Sequence, residues 1–138
     1  MLFRSPNLLV LDLGKNKIST VPSRIGELRN LIELDLSNNG ISVLPDEIGN
    51  LESLKKLSLN RNVITVLPAS IGKLSNLQEL ELWDNELSDL PLELKDLHQL
   101  KKIELRGILF SEDQQKQFRE MLPETDIFMS PSCSCKVN

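Results

Sequence analysis

The chain has no tyrosine, one tryptophan and four phenylalanines, so aromatics make up only 4% of its 138 residues. That scarcity excludes the stacking platforms on which single-strand nucleic-acid binders rely. Charge points the same way. Sixteen Lys and Arg against twenty Asp and Glu leave a net −4, with no basic excess to displace counterions from phosphates. No nucleic-acid partner is expected. No apolar run approaches the ~20 residues that cross a bilayer, so no membrane span is expected either. The opening "MLFRSPN" lacks an apolar signal core. The chain as given is expected in the cytoplasm; it would be secreted if an N-terminal signal had been removed.

Chemistry is equally sparse. One histidine, His98, falls in a variable slot of the chain and cannot by itself supply a Ser/His/Asp or Cys/His set. The two cysteines, Cys133 and Cys135, sit together in "SCSCKVN" at the end. They are too few and too close for a disulfide framework, and two ligands do not complete a metal site. There is no phosphate-cradling glycine loop and no metal-ligand cluster. We expect no enzyme activity, no cofactor and no metal.

What the chain does have is a period. "LLVLDLGKNKISTVPSRIGELRN", "LIELDLSNNGISVLPDEIGNLES", "LKKLSLNRNVITVLPASIGKLSN" and "LQELELWDNELSDLPLELKDLHQ" align as four gapless units of 23 residues, and a fifth begins at "LKKIELRGILF". The leading apolar slot is Leu8, Leu31, Leu54, Leu77 and Leu100. The asparagine slot is Asn16, Asn39, Asn62 and Asn85, and the proline slot is Pro22, Pro45, Pro68 and Pro91. Leu-x-Leu alternation predicts a short strand with both leucines on one side. Strands recurring at this interval would stack in parallel ~4.8 Å apart, and only the stack can bury the leucines. Asparagine amides after each strand would satisfy backbone groups left over by the bend. Asn38, one position earlier and facing outward, is expected to matter little to stability. Pro, with Gly26, Gly49 and Gly72, marks the turn and return on the far side. Lys95 replaces the glycine in the fourth unit, so that turn is expected to differ slightly.

This is the pattern L-x-x-L-x-L-x-x-N-x-L, and about ten slots recur in register. Over roughly residues 2–129 the chain resembles the leucine-rich repeat proteins, in particular the 23-residue class with "LPxxIGxLxxL". The resemblance implies an α/β-type solenoid of about five repeats, with a parallel concave sheet. Residues 1–7 read as a minimal N-terminal segment, 8–110 as the repeats, 111–129 as a C-terminal cap of helix and strand, and 130–138 as a tail. Ile108 fills the asparagine slot of the last unit and ends the ladder. "SEDQQKQFREMLP" then reads as a helix with a Ser111/Gln114 capping box, acids in its first turn and Pro123 at its end. Phe118, Met121 and Leu122 would plug the core, and "DIFM" would add a last strand. This ending resembles the caps of bacterial members of the family.

The leucines point in, so three interleaved columns point out. The first is Val10, Glu33, Lys56, Glu79 and Lys102, the second Asp12, Asp35, Ser58, Glu81 and Glu104, and the third Gly14, Ser37, Asn60, Trp83 and Arg106. Trp83 therefore belongs to a solvent-facing column. It either lies over its neighbours, capped by Arg106 in a cation–π contact, or acts as a contact anchor, since Trp and Arg dominate interface hot spots. The acids of the second column would repel by about 1 kcal/mol per neighbouring pair in water. A basic partner would relieve what Lys56 and Lys102 do not. We therefore expect a protein ligand on the concave face, contacting Trp83, Glu81, Glu104, Arg106, Arg61, Asn60, Asp35 and Lys56. The bacterial resemblance implies an adhesion or host-interaction factor. The alternatives are a regulatory scaffold for a small GTPase, as resemblance to the Ras-suppressor type would imply, or a structural fragment of a longer chain. The open first strand, with Leu2, Phe3, Leu9 and Ile32 nearby, suggests a homodimer through the N-terminal edge or an upstream cap.

Overall fold

A computed structural model describes residues 7–132. Leu2, Phe3, Cys133 and Cys135, and the expectations attached to them, lie outside the described residues. Strands β1 (Val10–Asp12), β2 (Glu33–Asp35), β3 (Lys56–Ser58), β4 (Glu79–Glu81) and β5 (Lys102–Leu105) are followed by helix α1 (Glu112–Met121) and strand β6 (Asp126–Met129). The six strands form one parallel sheet in chain order. Register follows the 23-residue interval: Leu11 pairs with Leu34, Leu34 with Leu57, Leu57 with Leu80, and Leu80 with Ile103. Each slot of the sequence thus becomes a column of the sheet. This is a leucine-rich repeat solenoid.

The apolar slots close into one core, with Leu34, Leu57, Leu80 and Ile103 all essentially inaccessible. The asparagines form the ladder that their spacing predicts. Asn62 Oδ1 accepts from the Ile41 amide at 3.1 Å, and its Nδ2 donates to the Leu36 and Leu59 carbonyls at 3.0 Å each. Asn85 repeats this one unit on, serving Ile64, Leu59 and Leu82. The buried bend would otherwise leave those groups without partners.

Opposite the sheet lie four 3₁₀ helices, Ser23–Glu27, Asp46–Asn50, Ala69–Lys73 and Leu92–Asp96, each entered through the proline of its unit. Glycine is needed there for closeness. A Cβ on Gly26, Gly49 or Gly72 would stand 2.7, 2.5 or 2.6 Å from a backbone carbonyl oxygen of the next unit. The Leu92–Asp96 turn keeps the same 3₁₀ form despite Lys95, which corrects the expectation of a different turn. The next element in the stack is α1, not another 3₁₀ turn.

A second periodic column was not anticipated. Lys15, Asn38, Arg61, Asp84 and Gly107 all have positive φ, between 53° and 81°. Asn38 is therefore no passive surface position: its φ of 55° is a conformation that Asn tolerates and most L-residues resist. The cap behaves as its sequence indicates. Ser111 and Gln114 form both bonds of the capping box, and Phe118 packs edge-on to Phe110 with centroids 4.8 Å apart. β6 then extends the sheet, with Glu104 opposite Phe128 and Leu105 opposite Met129.

Candidate functional site

The outward face of the sheet holds the residues singled out from the sequence, and the repeat register decides which of them meet. Trp83 follows β4 in the third column and is partly buried. Its backbone is tied to the preceding unit on both sides. The Trp83 amide donates to Asn60 Oδ1 at 3.1 Å, and its carbonyl accepts from the Arg61 amide at 3.0 Å. The Arg61 guanidinium lies 4.8 Å from the Trp83 ring centroid and 3.7 Å from Asp84. The cation over Trp83 is thus Arg61, which corrects the expectation that Arg106 caps it. Arg61 occupies the left-handed column immediately after Asn60. Arg106 is committed elsewhere.

Its Nε and Nη2 donate to the two oxygens of Glu104 at 2.7 and 2.6 Å, a bidentate pair. Glu104 itself is 3% exposed. Burial is the largest single influence on its carboxyl and would raise its pKa. Hydrogen bonds and charge from Arg106, aided by Lys102, outweigh that and hold it below the usual carboxylate range. The same bonds raise Arg106. Glu104 therefore has both carboxylate oxygens engaged by its own chain. A buried carboxylate in this setting is held by its own chain because an unpaired one would be costly.

The rest of the acidic column is also satisfied internally. Asp35 Oδ1 accepts from the amide and hydroxyl of Ser37 at 2.9 and 2.6 Å. Glu81 accepts from Asn60 Nδ2 at 2.8 Å and lies 3.4 Å from Lys56 Nζ. Glu81 is the main cause of the raised Lys56 pKa, against a smaller opposing effect of burial. Asn60, 5% exposed, is a link in this network rather than an open donor. The structure therefore joins Trp83, Arg61, Asn60, Glu81 and Lys56 in one cluster, and Glu104 and Arg106 in a second. Asp35 stands two strands from Trp83, outside both.

Sequence reasoning missed Phe128. It is 42% exposed, and the cations of Lys102 and Arg106 lie 5.4 and 5.8 Å from its ring centroid. Carrying the outward columns on into "DIFM" would have placed it beside Glu104. At the other end, Leu9 and Val10 are 52% and 57% exposed along the edge strand β1, with Ile32 partly buried next to them.

His98 is exposed beyond the last 3₁₀ turn. Among the described residues no group of three or more His, Cys, Asp or Glu is placed to hold a metal ion, and no helix is long and apolar enough to cross a membrane.

Comparison with known proteins agrees with this architecture. A family model described as a leucine-rich repeat region matches residues 4–126. No curated protein matches. Among solved structures, a leucine-rich repeat protein of Leptospira interrogans is 41% identical with a TM-score of 0.83, over 85% of this chain and 30% of that one. The plant peptide hormone receptor RGFR1, solved in complex with RGF2, is 32% identical with a TM-score of 0.69, over 80% and 18%. An internalin of Listeria monocytogenes shares the fold at 21% identity and a TM-score of 0.75, over 95% and 44%. The chain spans less than half of each of these proteins. With the family model covering nearly its whole length and the sheet built in the same 23-residue register, this chain belongs to the leucine-rich repeat family.

Proposed function

We propose that this chain is a protein-interaction module, not an enzyme, and that it takes a segment of a protein ligand on the outward face of its sheet with Trp83 near the centre of the contact. One observation carries the reading. The single tryptophan stands outside the leucine core, its backbone held by Asn60 and Arg61 and its ring stacked under Arg61. A large apolar ring fixed in place, with charged groups around it, has the composition of an interface hot spot and its polar rim. Side chains that are already ordered lose little entropy on binding. The relative solved as a receptor complex supports a ligand on a protein of this family. The Leptospira relative, a leucine-rich repeat protein 41% identical to this chain, favours a bacterial setting.

The test is affinity capture on immobilised wild type and Trp83→Ala, followed by calorimetric titration of the captured ligand. Trp83→Ala should weaken binding by about 2 kcal/mol or more, with the melting temperature nearly unchanged. Intact affinity together with a lowered melting temperature would make the residue structural and move the binding face elsewhere.

A further inference from the structure

Beyond Trp83 the outward face changes character, and its charge differs from what the acidic column suggests. Glu104 is buried with both oxygens taken by Arg106, so it presents little negative charge outward. Phe128 is exposed beside it, between the cations of Lys102 and Arg106. Lys102 forms no ion pair among the described residues. Glu79, its ladder neighbour on one side, lies 3.8 Å from Lys56 instead, and Asp126 on the other does not reach it. A third cation, Arg61, covers Trp83. The C-terminal half of this face thus offers two aromatic rings under cations, with Glu81 and Glu104 engaged from within and Asp126 exposed beside Lys102.

We infer that Phe128, Lys102 and Arg106 form a second seat, for an acidic side chain in a segment of a protein partner that also places an apolar side chain on Trp83. The inference rests on the outward face being the binding face. Charge complementarity identifies the occupant. A carboxylate arriving beside Phe128 would meet the Lys102 ammonium, which makes no direct ion pair and feels the buried Glu104 only at longer range, and the outer edge of the Arg106 guanidinium. It would also approach the positively polarised edge of the ring. A basic segment would meet Lys102, the one of these three cations without an ion pair among the described residues. Spacing sets the pattern. Trp83 and Phe128 stand two strands and one column apart, about 12 Å from the ladder dimensions. Side chains i and i+4 of an extended segment project from one face about 13 Å apart.

The test pans a displayed library of random twelve-residue peptides on the folded chain. A synthetic peptide of the enriched consensus is then titrated while Trp83 emission is followed, which the chain's single tryptophan allows. The expected consensus pairs an apolar residue with Asp or Glu about four positions away. Lys102→Gln should weaken that peptide about tenfold, Phe128→Ala by a similar factor, and Trp83→Ala should abolish selection. Unchanged thermal unfolding of Lys102→Gln guards against a folding defect, which Phe128→Ala alone could introduce at the last strand. A basic or uncharged consensus that still depends on Trp83 and ignores Lys102 would overturn the second seat and leave the proposed binding face standing. Selection indifferent to Trp83, Lys102 and Phe128 alike, or no enrichment at all, would overturn both.

Discussion

Asn62→Ala isolates what holds the repeats in register, and its magnitude can be worked from the ladder. The amide makes three short bonds: to the Ile41 N–H, the Leu36 carbonyl and the Leu59 carbonyl. Neither carbonyl is orphaned by the substitution. Leu36 still accepts from Asn39 at 2.9 Å, and Leu59 from Asn85 at 2.9 Å. The Ile41 N–H alone loses its partner inside the protein. One stranded buried donor costs about 1–3 kcal/mol, and the two weakened carbonyls add to it, so the total should lie near 2–3 kcal/mol. For a chain of this length that is a melting shift of roughly 6–12 °C. Asn85→Ala should cost at least as much. Ile108 occupies the next slot, so among the described residues no second amide reaches the Leu82 carbonyl, and both it and the Ile64 N–H are left open. Asn16→Ala, at the exposed start of the ladder, should cost less than either, because Leu13 keeps its bond from Asn39 at 3.1 Å. Thermal and urea unfolding of the three variants would order them. Equal shifts for Asn16→Ala and Asn85→Ala would refute the ladder as the source of register.

Other outcomes follow from single contacts. Asn38→Ala should destabilise by about 1 kcal/mol through its left-handed backbone, whereas Asn38→Gly should be close to neutral in urea unfolding. Gly72→Ala forces a Cβ to 2.6 Å from the Glu93 carbonyl and should cost about 1–3 kcal/mol, while Lys95→Ala in the same slot should be neutral. Glu104 is held below its ordinary value of 4.5, so the stability it contributes is present above that pH and is lost as pH falls through the lowered value. Urea midpoints taken from pH 7 to 3 should therefore fall more steeply for wild type than for Glu104→Gln, which starts lower. If the exposed Leu9 and Val10 edge of β1 joins two copies, sedimentation at high concentration should show a dimer that Val10→Glu removes.

Much of this protein is decided locally and repeatedly, and so can be read from the chain. The 23-residue interval dictates strand positions, the parallel register, the inward leucines and the asparagine ladder. One offset carries all of them, and no leucine slot can be buried without the unit beside it. The Ser111–Gln114 box marks the cap for the same reason: its bonds lie within four residues of chain. The left-handed column was also within reach, since Asn38, Asp84 and Gly107 are three of its five occupants. The outward face is different. Its columns are legible, but which cation covers Trp83, and whether an outward carboxylate is open or closed, depends on where long side chains settle among several partners at similar distance. Arg106 chooses Glu104 because two parallel bonds to a buried carboxylate outweigh stacking on a ring. That leaves Trp83 to Arg61. Phe128 gains its place only when α1 carries the chain back to pair β6 with β5. The sequence determined the scaffold because periodic burial admits one solution. The tertiary structure decided the face, because competition among exposed charges is settled only once all of them are in position.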